Sequence, residues 1–167
     1  MKKLLLVRHA KSGWENTTAS DFERTLNDRG KKDAPVMAQR LIDKGVSIDG
    51  FISSPAKRAK KTAELFAETF KEDKKEIIYI ADLYIALPEI FLDAISKTDD
   101  KFSTIAVFSH NPGITDFANT LTDARVDDMP TCSIFAVYVD TDNWNDFSSA
   151  SKKFWFFDYP KAGQEHK

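Results

Sequence analysis

Two unbroken apolar runs, LLLV at Leu4–Val7 and IAVFS at Ile105–Ser109, constrain this chain more than any other feature. A strand with no apolar/polar alternation has both faces covered, as in a parallel sheet with helices on each side. The first run leads straight into Arg8 and His9, and the second into His110. All three residues then fall at the carboxyl edge of the sheet, where α/β sheets hold their ligand chemistry. Either histidine alone could simply end a strand and hydrogen-bond the backbone. Two in matching positions, from three histidines in the chain, point to a shared site.

The rest of the chain alternates in the same manner. Leu26–Gly45 reads as a helix with Asn27 as N-cap and Gly45 as stop, and Pro35 implies a kink or a later start. Phe51–Ser53 is a short strand, and Ser54 and Pro55 are expected to be the N-cap and first residue of a helix ending near Phe70. Ile77–Ile80 reads as a strand, Pro88–Ser96 as a helix, and the segment after Asn111-Pro112-Gly113 as a helix through Leu121. Ser133–Val139 and Phe154–Tyr159 are late, outer strands, and the Asp/Asn/Ser-rich stretch Asp140–Ser151 between them reads as a loop without chemistry. Phe51, Phe66, Phe108 and Phe117 are assigned to the core. The expected fold is a three-layer α/β/α sandwich around a mostly parallel sheet, with residues 1–167 as a single domain.

Composition narrows the partners. The net charge of -2, from 24 basic and 26 acidic residues, exerts no global pull on nucleic acid or on anionic membrane, so any anion site must be local. The lone Cys132 excludes an internal disulfide and suits a reducing cytoplasm. The N-terminal apolar run is too short for a signal peptide or a span, so a cytoplasmic protein without membrane contact is expected.

An anion site is suggested by SSPAKRAKKTAE at Ser53–Glu64, where Lys57, Arg58, Lys60 and Lys61 crowd the start of a helix. Cations there oppose the helix dipole, at a cost of about 0.3–1 kcal/mol each, and a bound anion would reverse the sign. A guanidinium can hold two phosphate oxygens at once, which singles out Arg58; the lysines read as a solvated face. HNPG at His110–Gly113 opens a second helix N-terminus, which either binds the anion or is capped by Asn111.

RHAKS at Arg8–Ser12, SSPAKRAKKTAE and SHNPG at Ser109–Gly113, in this order, resemble the histidine phosphatase superfamily, whose fold is phosphoglycerate mutase-like. RHAKS in place of an RHG motif, RTLNDRG at Arg24–Gly30 and DMPTCSI at Asp128–Ile134 are similar to its SixA-like branch of phosphohistidine phosphatases. The resemblance runs from Leu4 to about Trp155. It implies that His9 is a nucleophile that takes the phosphoryl group and is then hydrolysed, with Arg8, Arg58 and His110 around the phosphoryl oxygens and no metal or other cofactor. Histidine, with an ordinary pKa near 6.5, is largely neutral at cytosolic pH, and the two arginines disfavour its protonation further. Ser12 is a candidate additional phosphate contact, or a small turn residue.

For the proton donor the sequence offers two carboxylates. Glu89, in LYIALPEIFLDAI, is a candidate acid but is equally explained as favourable first-turn charge. Asp21 is a second candidate, or a solvated loop charge. A P–N bond needs less acid help than an ester, because imidazole is a better leaving group than an alkoxide. The implied substrate is therefore a phosphorylated protein bearing phosphohistidine, met in an open, shallow pocket by a monomeric enzyme. The alternatives are a small sugar or nucleotide phosphomonoester, and a phosphate- or phosphohistidine-binding module without turnover. Trp14 either edges the pocket or covers the sheet end. No Walker loop, Cys/Arg phosphate loop or H-E-x-x-H motif is present.

Overall fold

The computed structural model describes residues 1–14 and 19–162. His166 lies outside them. Six strands form one sheet: β1 (Lys2–Arg8), β2 (Gly50–Ser53), β3 (Ile78–Tyr79), β4 (Thr104–Ser109), β5 (Ile134–Val139) and β6 (Lys152–Asp158). Their spatial order is β3-β2-β4-β1-β5-β6. β3, β2, β4 and β1 pair in parallel, while β5 and β6 add antiparallel at one edge. Among the described residues, four α-helices complete the fold: α1 (Asp28–Asp43), α2 (Lys57–Thr69), α3 (Pro88–Ser96) and α4 (Gly113–Leu121).

The absence of alternation in the central strands has the expected cause. Leu5 and Val7 of β1 and Ala106 and Phe108 of β4 pack with Ala34 and Met37 of α1 and Phe66 of α2. Their neighbours Leu4, Leu6, Ile105 and Val107 face the other way, onto Phe91 of α3 and Ile114 and Phe117 of α4. The sheet is thus the middle of three layers, as expected. Phe51, Phe66, Phe108 and Phe117 are all buried.

Several boundaries differ. α1 begins at Asp28, with the Asn27 side chain accepting from the Gly30 N–H at 2.9 Å, and it runs through Pro35 without interruption. α2 begins two residues later than the sequence suggests, with Ala56 rather than Ser54 at the cap position. Ser54 turns inward, its Oγ accepting from the Ala56 N–H at 3.2 Å. Only Ile78–Tyr79 of Ile77–Ile80 is strand, at the sheet edge. The stretch Asp140–Ser151 is not a plain solvated loop: Trp144 and Phe147 within it are fully buried, and the indole N–H of Trp144 donates to the Phe102 carbonyl at 2.8 Å. Polar composition hid two core aromatics. No helix among the described residues is long and apolar enough to cross a membrane.

The order β2-β4-β1 places three adjacent parallel strands with their carboxyl ends together, Arg8 in register with Ser109 and Ser53 with Phe108. His9, His110 and the approach to α2 therefore leave the sheet side by side.

Candidate active site

His9 and His110 follow neighbouring strands, and their rings lie 5.1 Å apart, centroid to centroid. Both are buried, at 5% and 7% exposure. Nδ1 of His9 lies 2.8 Å from the Ala10 carbonyl, which can only accept, so Nδ1 carries the proton and Nε2 keeps its lone pair. Burial, aided by His110, Arg58 and Arg8, holds the His9 pKa well below its ordinary value, against the opposing Ala10 bond. His110 is pushed down to about 3, by burial first and by Arg58 next. Both rings are neutral at physiological pH.

Arg58, on the first turn of α2 and 5% exposed, aims its Nε at Nε2 of His9 across 3.3 Å. The remainder of its fork is not free for an anion, contrary to the sequence expectation of a two-oxygen phosphate clasp. Nη1 donates to the Asp21 carbonyl at 2.6 Å and Nη2 to Asp21 Oδ2 at 3.0 Å. Asp21 also accepts from the Tyr84 hydroxyl at 2.6 Å and pairs with Arg24 at 3.1 Å. The Tyr84 bond, followed by the two guanidiniums, holds its carboxyl at about 2, although burial works the other way. Asp21 is thus a fixed carboxylate rather than a donor acid or a free loop charge.

Arg8 donates through Nη1 to the Met129 carbonyl at 2.8 Å, while its Nε is buried without a partner among the described residues. The DMPTCSI segment is what holds this end of the site. Its Cys132 N–H reaches back to the carbonyls of Arg8 and His9 at 3.1 and 3.0 Å, and Asn111 donates to Asp128 and Met129 at 2.7 and 3.1 Å. Asn111 thereby ties two loops together instead of capping α4, whose cap position is Pro112. Ser12 Oγ accepts from Nη1 of Arg24, so its hydroxyl serves the Arg24 contact. Trp14 is 62% exposed and stacks under Arg24, with the guanidinium carbon 4.2 Å from the ring centre. Glu89 is exposed on the first turn of α3.

Two site residues lie inside quoted stretches but are not singled out there. Ser54 Oγ hydrogen-bonds Nε2 of His110 at 2.7 Å, a contact hidden while Ser54 reads as a helix cap. Tyr84 stands edge-on to His110 at 5.6 Å and reaches Asp21. A pocket of about 180 Å³ opens between these groups, walled by Asp21, Arg58, Tyr84 and His110 and by Ile85, Leu87 and Asp116. Glu89, Arg8 and His9 are not among its lining residues. Among the described residues no cluster of three or more His, Cys, Asp or Glu could hold a metal ion.

Known proteins resemble this chain in sequence and in fold. The sequence profile of the histidine phosphatase superfamily (branch 1) matches residues 4–84. An uncharacterised chloroplastic protein of Arabidopsis thaliana is 28% identical over 153 residues, 87% of this chain and 70% of that protein. The match to the mitochondrial serine/threonine-protein phosphatase Pgam5 of Drosophila ananassae, at 32% identity, covers 46% of this chain and 26% of that protein, so the chain spans about a quarter of that relative's length. The solved structure of the protein histidine phosphatase SixA complexed with tungstate superposes with a TM-score of 0.79 at 21% identity, over 95% of this chain and 97% of SixA. At that identity the likeness establishes a shared fold.

Proposed function

From the match of residues 4–84 to the histidine phosphatase superfamily, we propose that this chain is a SixA-like protein phosphohistidine phosphatase with His9 as nucleophile. The observation that carries this reading is the orientation of His9: Nδ1–H is spent on the Ala10 carbonyl, and the unprotonated Nε2 faces Arg58 Nε at 3.3 Å. In the first step the Nε2 lone pair forms a bond to phosphorus while the bond to the leaving group breaks. In the second, a water oxygen attacks the phosphorus and the P–Nε2 electron pair returns to His9.

The neighbours supply the charge that a phosphoryl group requires. Arg58 Nε lies within reach of any oxygen attached through His9, and Arg8 Nε is a buried donor without a partner among the described residues. His110 adds a third. The Ser54 hydroxyl accepts from the Ala56 N–H and so can direct its own proton to His110 Nε2, leaving Nδ1, likewise unpartnered, as the N–H donor. Aimed donors of this kind stabilise the charge of phosphoryl transfer directly, and in this reading no metal is used.

The protein-borne substrate is supported by the rim. Ile85 and Leu87 on the pocket wall are 84% and 62% exposed, so the pocket opens straight onto a surface that another protein could cover. The reading also places the chain in the cytoplasm as a monomer. A small phosphomonoester is the second reading. It would need a proton donor, and the exposed Asp116 on the pocket wall is the carboxylate placed for it.

The test is hydrolysis of a phosphohistidine peptide and of p-nitrophenyl phosphate in the presence of chelator, by wild type and His9→Ala, with acid-labile phosphate on the enzyme measured in parallel. Phosphohistidine turnover lost in His9→Ala is the expected result. Cleavage of p-nitrophenyl phosphate alone favours the ester reading, and phosphate capture without turnover of either substrate a binding module.

A further inference from the structure

Asp21 orients Arg58 and at the same time holds a charged oxygen pair on the pocket wall, where it repels a phosphoryl dianion and attracts any cationic part of the substrate. Its side chain is 47% exposed, so the carboxylate is presented to the pocket mouth even though Arg58, Arg24 and Tyr84 bind it. The neighbouring charged and titratable groups are Arg24 from its own loop, Arg58 of α2, Tyr84 from the 81–84 turn, His110 after β4 and Asp116 of α4. Whatever leaves from phosphorus must leave on the side away from His9, and Asp21 lies across the Arg58 guanidinium from that ring.

Resting on the phosphohistidine reading, we propose that the Asp21 carboxylate accepts the N–H of the substrate's own imidazole ring and thereby selects P–N over P–O leaving groups. A phosphohistidine ring carries phosphorus on one nitrogen and a lone pair on the other. Once the second nitrogen is protonated the ring is cationic, and a carboxylate stabilises that form. When His9 Nε2 bonds to phosphorus, the P–N electron pair goes to the departing nitrogen. The ring then leaves neutral, keeping its proton on the nitrogen that faces Asp21. The step balances without a proton donor.

The enzyme treats its own ring in the same way. His9 Nδ1–H is held by the Ala10 carbonyl, so after phosphorylation at Nε2 the second hydrolysis also expels a neutral imidazole. Asp21 would do for the substrate what Ala10 does for the nucleophile. An ester gains nothing from this carboxylate, because its oxygen leaves with negative charge.

The experiment compares phosphoimidazole, a phosphohistidine peptide and p-nitrophenyl phosphate as substrates of wild type, Asp21→Asn, Asp21→Glu and Asp116→Asn, across pH. Asp21→Asn loosens Arg58 for every substrate, so the readout is the ratio between substrates. The expected result is a loss of kcat/KM roughly tenfold larger for phosphoimidazole than for p-nitrophenyl phosphate. The alkaline fall of the P–N rate should also move to lower pH in Asp21→Asn and return in part in Asp21→Glu. Equal losses for both substrates with an unmoved pH limb would overturn the proposal and leave Asp21 as a support for Arg58. Movement of that limb by Asp116→Asn instead would overturn it equally. Phosphoimidazole cleavage showing the Asp21 dependence, with the peptide untouched, would uphold the inference and defeat the protein substrate alone.

Discussion

Arg58 Nε stands 3.3 Å from Nε2 of His9, while both terminal nitrogens of the same guanidinium are clasped by Asp21. A buried cation thus meets the nucleophile through one N–H, in an orientation set from behind. Arg58→Lys keeps the charge but has a single ammonium, which cannot face His9 and Asp21 together. It is expected to lose kcat by about 10²–10³, close to the loss in Arg58→Ala. Steady-state rates of the two variants decide this; a lysine variant near wild type would show that charge alone suffices.

Ser54 and His110 form a second such pair, joined at 2.7 Å inside the protein. Removing the hydroxyl in Ser54→Ala leaves Nε2 of a buried, neutral ring unpaired, at a cost of about 1–3 kcal/mol in unfolding free energy. The His110 proton is no longer directed to Nδ1, so kcat is expected to fall about tenfold or more. Chemical denaturation and phosphatase assays on one preparation separate the two effects.

The buried histidines also govern pH stability. Below about pH 6.5 the unfolded chain takes up protons at His9 and His110, which the folded protein resists, down to about 3 for His110. The unfolded state then binds more protons, so stability falls as pH drops from about 7 toward 4. Asp21, held at about 2, acts in the same direction at lower pH, since its ionised form is stabilised only in the fold. Urea midpoints measured across this range should decline, and His110→Gln should flatten the decline.

Gly113 opens α4 where any side chain would collide with the loop that walls the pocket: a Cβ there would lie 1.9 Å from the Ala86 carbonyl oxygen. Gly113→Ala must displace that backbone, with an expected cost of about 1–3 kcal/mol. Activity should fall with it, because Ile85 and Leu87 move together with Ala86. Thermal melting and kcat/KM report the two consequences.

Glu89 is tested by substitution with glutamine. It is exposed and absent from the pocket wall, so phosphohistidine turnover in Glu89→Gln should stay within about twofold of wild type, as for an ordinary surface change. A selective loss of ester hydrolysis would instead make Glu89 the ester's proton donor.

Much of this architecture is legible without coordinates, and for a local reason. Leu4–Val7 and Ile105–Phe108 lack alternation because helices cover both faces, and that pattern is carried by consecutive residues. Arg8, His9 and His110 were readable because they directly follow those runs, and Arg58 because it sits on a helix start that local electrostatics disfavours. The α/β class, the parallel centre and these four residues follow from neighbours in sequence.

What the chain order could not show depends on distant segments meeting. Ser54 looks like a cap until α2 starts later and frees its hydroxyl for His110, 56 residues away. Asp21 looks like a solvated charge until Tyr84, 63 residues on, and Arg58 close around it. Trp144 and Phe147 hide in a polar stretch because their burial depends on the 100–102 turn and on α4, not on their neighbours. Sequence by itself marked Arg8, His9, Arg58 and His110 as candidate site residues, since strand periodicity and side-chain type are local properties, and their phosphoryl chemistry is what the family resemblance implies. Only the tertiary structure decided how those residues are aimed, because hydrogen-bond direction and burial arise from contacts that no local pattern records.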